Sequence, residues 1–110
     1  MVDFNENSVN APISISSSGD NTIIPAPTQG FIVIDNLNFV PASPVNVILK
    51  AGTRSLSGAY PLTANQGWTQ DNTMGKNLGI LRCLPGEAFK INLSGAVLCS
   101  GFVDYRVIGQ

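Results

Sequence analysis

Eleven glycines and seven prolines interrupt this 110-residue chain, and no uninterrupted window carries apolar residues at helical spacing. Proline removes a backbone donor and blocks a helix interior, and glycine weakens one by roughly 1 kcal/mol relative to alanine. What remains between the breaks is short apolar alternation, the period of a half-buried strand. Ile13-Ser14-Ile15-Ser16 alternates, Ser17 to Asn21 is a cluster of turn formers, and Thr22-Ile23-Ile24 is a second short strand closed by Pro25 and Pro27. Val45, Val47 and Leu49 fall on one face, Ala51 to Arg54 reads as a hairpin loop, and Ser55 to Gly58 reads as its return. Tyr60 to Ala64 holds a further short strand. Leu78 to Leu84 is a strand stopped by Pro85-Gly86. Phe89, Ile91 and Leu93 alternate strictly with Lys90, Asn92 and Ser94, and Val103 to Val107 forms the last strand.

Seven or eight short strands, with turn signals about every eight to twelve residues, predict an all-β fold, an antiparallel β-sandwich. The length suits a single domain, with 1–11 as an N-terminal arm and 12–110 as the sandwich. One strand breaks the alternation. Phe31-Ile32-Val33-Ile34 is apolar on both faces, so one face meets the core and the other needs a loop or a second subunit over it. From Asn65 to Gly75 the chain is polar apart from Trp68 and reads as a long loop. Loops of that length in small domains are often functional or covered by a partner.

Charged residues make up only 12%, against roughly 25% in an ordinary soluble domain. Asn, Ser, Thr and Gly take their place, giving a neutral, hydrogen-bonding surface that costs less to cover than an ionic one. The net charge of −1 and six scattered basic residues leave no patch for nucleic acid. No apolar run is long enough for a membrane helix. Met1 to Glu6 has neither the basic nor the apolar region of a signal peptide, so the expectation is synthesis in a cytoplasm.

Catalytic residue types are scarce. With no histidine, the commonest general base and metal ligand is missing. Seven carboxylates are dispersed, and nothing in their spacing pairs two across a cleft as glycoside hydrolysis requires. Cys83 sits in an apolar run without a base beside it, and Cys83 and Cys99 are too few for a structural zinc. A cytosolic pair is expected to be reduced. The reading is a non-enzyme without cofactor or metal.

Ser17 to Ile23, Val47 to Thr53, Leu56 to Leu62, Pro85 to Leu93 and Gly101 to Tyr105, in that order, resemble the small head-decoration, or capsid cement, proteins of tailed phages. Each segment is a turn or strand motif of low specificity, and their order and spacing carry the likeness. The resemblance implies a jelly-roll-like sandwich that forms homotrimers on the capsid surface and binds the major capsid protein. It implies a virion location and no cofactor. The stretch between Gly67 and Leu78 is richer in Asn and Thr than that pattern.

Partner contacts are expected from Val2, Phe4 and Val9 in the arm, and from Tyr60 and Trp68. Trp68 has two readings, a contact residue or an indole folded over the edge of the core. The competing function is host-glycan recognition, by a domain of a phage tail, baseplate or fibre tip or by a carbohydrate-binding module. Trp68, Tyr60 and Asn or Asp side chains are the right groups for stacking on and hydrogen bonding to sugar.

Overall fold

The computed structural model describes residues 9–72 and 79–109. Ten strands and no helix occur among them. In chain order they are β1 (Val9–Ile15), β2 (Gly19–Ile24), β3 (Phe31–Pro41), β4 (Val45–Ala51) and β5 (Arg54–Ser55). The chain returns through β6 (Tyr60–Leu62), β7 (Trp68–Asp71), β8 (Leu81–Arg82), β9 (Phe89–Leu93) and β10 (Cys99–Ile108). The chain is one long hairpin, rolled up. β1 pairs with β10, β2 with β9, β3 with β7 and β8, and β4 with β5 and β6, every pair antiparallel. Pairing of β10 with β3 closes a front sheet in the order β1-β10-β3-β7, and pairing of β9 with β4 closes a back sheet in the order β2-β9-β4-β5. β8 and β6 complete the edges on β3 and β4. This nesting is the jelly-roll arrangement of an all-β sandwich.

The core is the alternation made solid. Val45, Val47, Leu49 and Ala51 on β4 and Phe89, Ile91 and Leu93 on β9 are buried, while their neighbours face outward. Ile13, Leu37, Phe39, Cys99 and Val103 meet them from the front sheet.

β3 departs from a single period. Asp104 stands opposite Asn36 and Tyr105 opposite Ile34, so Asp35 is an extra residue without a partner across the ladder. Such a bulge flips the facing of everything beyond it. Leu37 and Phe39 face the core above it, and Ile32 and Ile34 join the core below it. Asp35 is thereby turned outward. It accepts two hydrogen bonds from Arg106, Nε to Oδ2 at 2.7 Å and Nη2 to Oδ1 at 2.9 Å.

Val33, on the outer face with this pair, is fully buried by the chain itself. Gly79 lies over it, so close that a Cβ there would stand 2.8 Å from Val33 Cγ1. Of the two covers expected for Phe31–Ile34, a loop or a second subunit, the loop is present. Burial of Ile32, Val33 and Ile34 needs no neighbouring chain.

Three boundaries differ from expectation. β1 begins at Val9, where Val9, Asn10 and Ala11 already pair with Tyr105, Asp104 and Val103. Only 1–8 of the expected arm precede the sheet, and they lie outside the described residues. The polar stretch from Asn65 holds a strand, because Trp68 to Asp71 pair with Phe39 to Asn36 on one side. The strand expected over Leu78 to Leu84 reduces to β8, and Leu78 lies outside the described residues.

Two substitutions test this layout by chemical denaturation. Gly101 packs so tightly on β3 that a Cβ would overlap the Asn38 carbonyl and stand 2.6 Å from Phe39 Cα. Gly101→Ala is expected to cost about 1–3 kcal/mol. Asp35→Ala removes two hydrogen bonds to the Arg106 guanidinium, 9% exposed, and is expected to cost about 1.5–3 kcal/mol. An unchanged unfolding midpoint in either variant contradicts the layout.

Candidate functional site

Two surfaces stand out, and the first is the outer face of the front sheet. Its side chains form rows across the strands. Asn10, Asp104, Asn36 and Asp71 stand in one row, Pro12, Phe102, Asn38 and Thr69 in the next, and Ser14, Ser100 and Val40 in a third. None of these positions is a lysine or an arginine. Hydrogen bonds lock the first row. Asn10 Nδ2 donates to Asp104 Oδ1 at 2.8 Å, and Asn36 Nδ2 donates to Asp104 Oδ2 at 3.2 Å. Asn36 Oδ1 in turn accepts from the Asn72 backbone N–H at 3.0 Å. In the second row Asn38 Oδ1 accepts from the Phe102 N–H at 3.2 Å. Against this ordered polar ground stand Phe102, 38% exposed, and Val40, 41% exposed, with Leu98 at 49% just before β10.

The second surface is a cleft where the edges of the two sheets meet, β5 and β6 on one side and β7 and β8 on the other. It encloses about 320 Å³ and is walled by Tyr60, Trp68, Gln70 and Asp71, with Leu56 and Ile80 among its apolar lining. Trp68 lies stacked on buried Phe39, ring centroids 5.4 Å apart and planes 15° apart. Tyr60 leans on Trp68 at 5.4 Å and 54°. Both readings of Trp68 therefore apply, since one ring face closes the core and the residue still lines the cleft.

Of the expected contact residues, Tyr60 and Trp68 are brought together. Val9 is exposed at the start of β1, away from that cleft's walls. Val2 and Phe4 lie outside the described residues. Sequence reading missed Val40 and Phe102. Their outward facing depends on the register between β3 and β10, which no local period reports.

Two ion pairs on or beside the back sheet are satisfied within the fold. Asp20 accepts from Asn92 Nδ2 at 2.7 Å and from Lys50 Nζ at 3.1 Å, and these bonds hold its carboxyl below the ordinary carboxylate value. Glu87 is lowered chiefly by its hydrogen bond with Arg54, which donates through Nη2 at 2.7 Å, and it also accepts from the Leu84 N–H at 2.6 Å. Among the described residues no group of three or more His, Cys, Asp or Glu side chains could hold a metal ion. No protein-family model, curated protein or solved structure matches the chain.

Cys83 and Cys99 are both free thiols and both buried. Burial pushes the Cys83 thiol up to about 11 and raises that of Cys99 as well. A protonated, enclosed thiol is a poor nucleophile. Folded protein at pH 8 is expected to react with a thiol-specific chromogenic reagent slowly, and both cysteines are expected to react at once in denaturant. Rapid labelling of the folded protein would show that one thiol is accessible.

Proposed function

We propose that this chain is a structural virion protein of a tailed phage, and that it decorates and stabilises the capsid by binding major capsid protein subunits. The observation that carries the reading is the outer face of the front sheet. It is held in place, because its Asn and Asp side chains are tied to one another across three strands and on to the Asn72 backbone just beyond β7. It contains no cation in its three rows and exposes Phe102 and Val40 at its centre. A face of this kind is covered by another protein at little desolvation cost, and an exposed aromatic on ordered ground is the usual anchor of an interface.

The jelly roll adds support at the level of architecture, since capsid and lectin domains both use it. That support is by analogy, and the site itself carries the function. Self-association into homotrimers belongs to the same proposal. It rests on the resemblance alone, because the strand over Phe31–Ile34 is already covered by its own chain and Val40 and Phe102 face the capsid in this reading. Catalysis has no part in the reading.

The test is quantitative mass spectrometry of heads and tails, purified separately from the virus that encodes the chain. Stoichiometric recovery with heads is expected. Phe102→Ser, at an exposed position, is expected to leave the unfolding midpoint unchanged and to weaken head binding about tenfold. Recovery with tails alone, or full head occupancy by the variant, overturns the proposal.

A further inference from the structure

The basic residues are scattered along the sequence, yet strand pairing sets two of them side by side. Lys50 on β4 stands directly opposite Lys90 on β9. Thr22 on β2 stands opposite Lys90 on its other side, and Ser55 on β5 stands opposite Lys50. The row Thr22, Lys90, Lys50, Ser55 therefore crosses neighbouring strands of the back sheet. It lies on the outer face, because Leu49 and Ala51, on either side of Lys50, and Phe89 and Ile91, on either side of Lys90, are buried.

Like charges directly opposite one another across a strand pair are destabilising. One carboxylate offsets the repulsion in part. Asp20, in the adjoining row, accepts from Lys50 Nζ at 3.2 and 3.1 Å and from Asn92 Nδ2 at 2.7 Å. Its carboxyl is held low first by Asn92 and then by Lys50, and the charge of Lys90 contributes least. Asp20 is thus committed to Lys50. Among the described residues Lys90 makes no hydrogen bond or ion pair. Two ammonium groups against one carboxylate leave a positive charge in excess at this place on the face.

The chemistry of the row selects its ligand. Adjacent cations repel a metal ion and favour an anion. An ammonium carries three donors, so Lys50 keeps hydrogen-bonding capacity after Asp20 is served. The hydroxyls of Thr22 and Ser55 add donors at either end of the row. A planar carboxylate is matched best by the fork of a guanidinium, whereas an ammonium acts as a point charge and suits a compact group of higher charge.

We propose that this row binds a tetrahedral oxyanion of the phosphate or sulfate class. Its oxygens accept hydrogen bonds from Lys90 and Lys50, with the hydroxyls of Thr22 and Ser55 beside them. The bound anion screens the two cations from each other and gives Lys90 the partner that the chain does not supply. Asp20 stands next to the site with the same sign of charge as the ligand and so weakens binding. The site belongs to the back sheet, opposite the proposed capsid face, and is independent of capsid binding.

The full-length protein, labelled with nitrogen-15, is titrated with inorganic phosphate and with sulfate to high millimolar concentration at neutral pH. Chloride keeps the ionic strength constant, and acetate serves as the monovalent, planar control. Saturable shifts are expected at the backbone amides of Thr22, Lys50 and Lys90 with phosphate, sulfate or both, and at least threefold weaker binding of acetate. Lys90→Gln is expected to weaken oxyanion binding at least fivefold without lowering the unfolding midpoint. Asp20→Asn keeps an acceptor for Asn92 and removes the competing charge, so it is expected to tighten binding at least threefold. Opposite effects of the two variants distinguish a binding site from a loss of structure.

Four results overturn the proposal. They are shifts that rise without saturation or map away from this row, acetate binding as tight as phosphate and sulfate, unchanged binding by Lys90→Gln, and unchanged or weaker binding by Asp20→Asn.

Discussion

The extra residue at Asp35 sets the facing of every side chain below it on the longest strand of the front sheet. Without it, strict alternation from Phe39 and Leu37 would carry Asp35 and Val33 into the core and push Ile34 and Ile32 outside. One unpaired residue reverses that assignment and turns a carboxylate outward, where Arg106 meets it through two hydrogen bonds. A buried ion pair is not in itself a large source of stability, because desolvating both partners offsets their attraction. Its value here is specificity of register. Any slip of β10 along β3 would bury a guanidinium against Val33 without its carboxylate. The same bulge explains why an apolar run on both faces is tolerable in a single chain, since Gly79 closes over Val33 from the outside.

That register passes to the whole sandwich, because β10 and β3 sit in the middle of the front sheet and the remaining pairs nest around them. The edges are treated differently from the faces. β1 carries Pro12 and β6 carries Pro61, each inside an edge strand where a missing N–H interrupts any incoming ladder. Growth of either sheet by strand addition at those edges is therefore blocked.

Strands buried on one side and wet on the other were legible residue by residue. β4 and β9 follow their apolar alternation from end to end, and the sandwich class follows from them. β7 was not legible, because three of its four residues are polar and its partner lies some thirty residues back on β3. What makes it a strand is the stacking of Trp68 on Phe39, a contact between distant segments that no local period reports. The bulge was illegible for the same reason, since an extra residue is defined only against the strand opposite. Tyr60 and Trp68 could be singled out as rare aromatics near a polar stretch. Phe102 and Val40 could not, because their outward facing depends on a register that only pairing establishes.

Charge economy shapes the front face. The fold keeps few ions and ties several of them to each other, as in Lys50 with Asp20, Arg54 with Glu87 and Arg106 with Asp35. Two of these pairs lie on or beside the back sheet, and the third sits beneath the bulge. The upper front face and the cleft are left to amides, hydroxyls, single carboxylates and rings. Covering an ionic surface requires each charge to find a partner or remain hydrated, whereas amides and hydroxyls exchange water for new hydrogen bonds at near balance. A surface of that kind selects by shape and hydrogen-bond geometry rather than by charge. The locked Asn10–Asp104–Asn36 row is the clearest case, since its side chains hold fixed positions before any partner arrives.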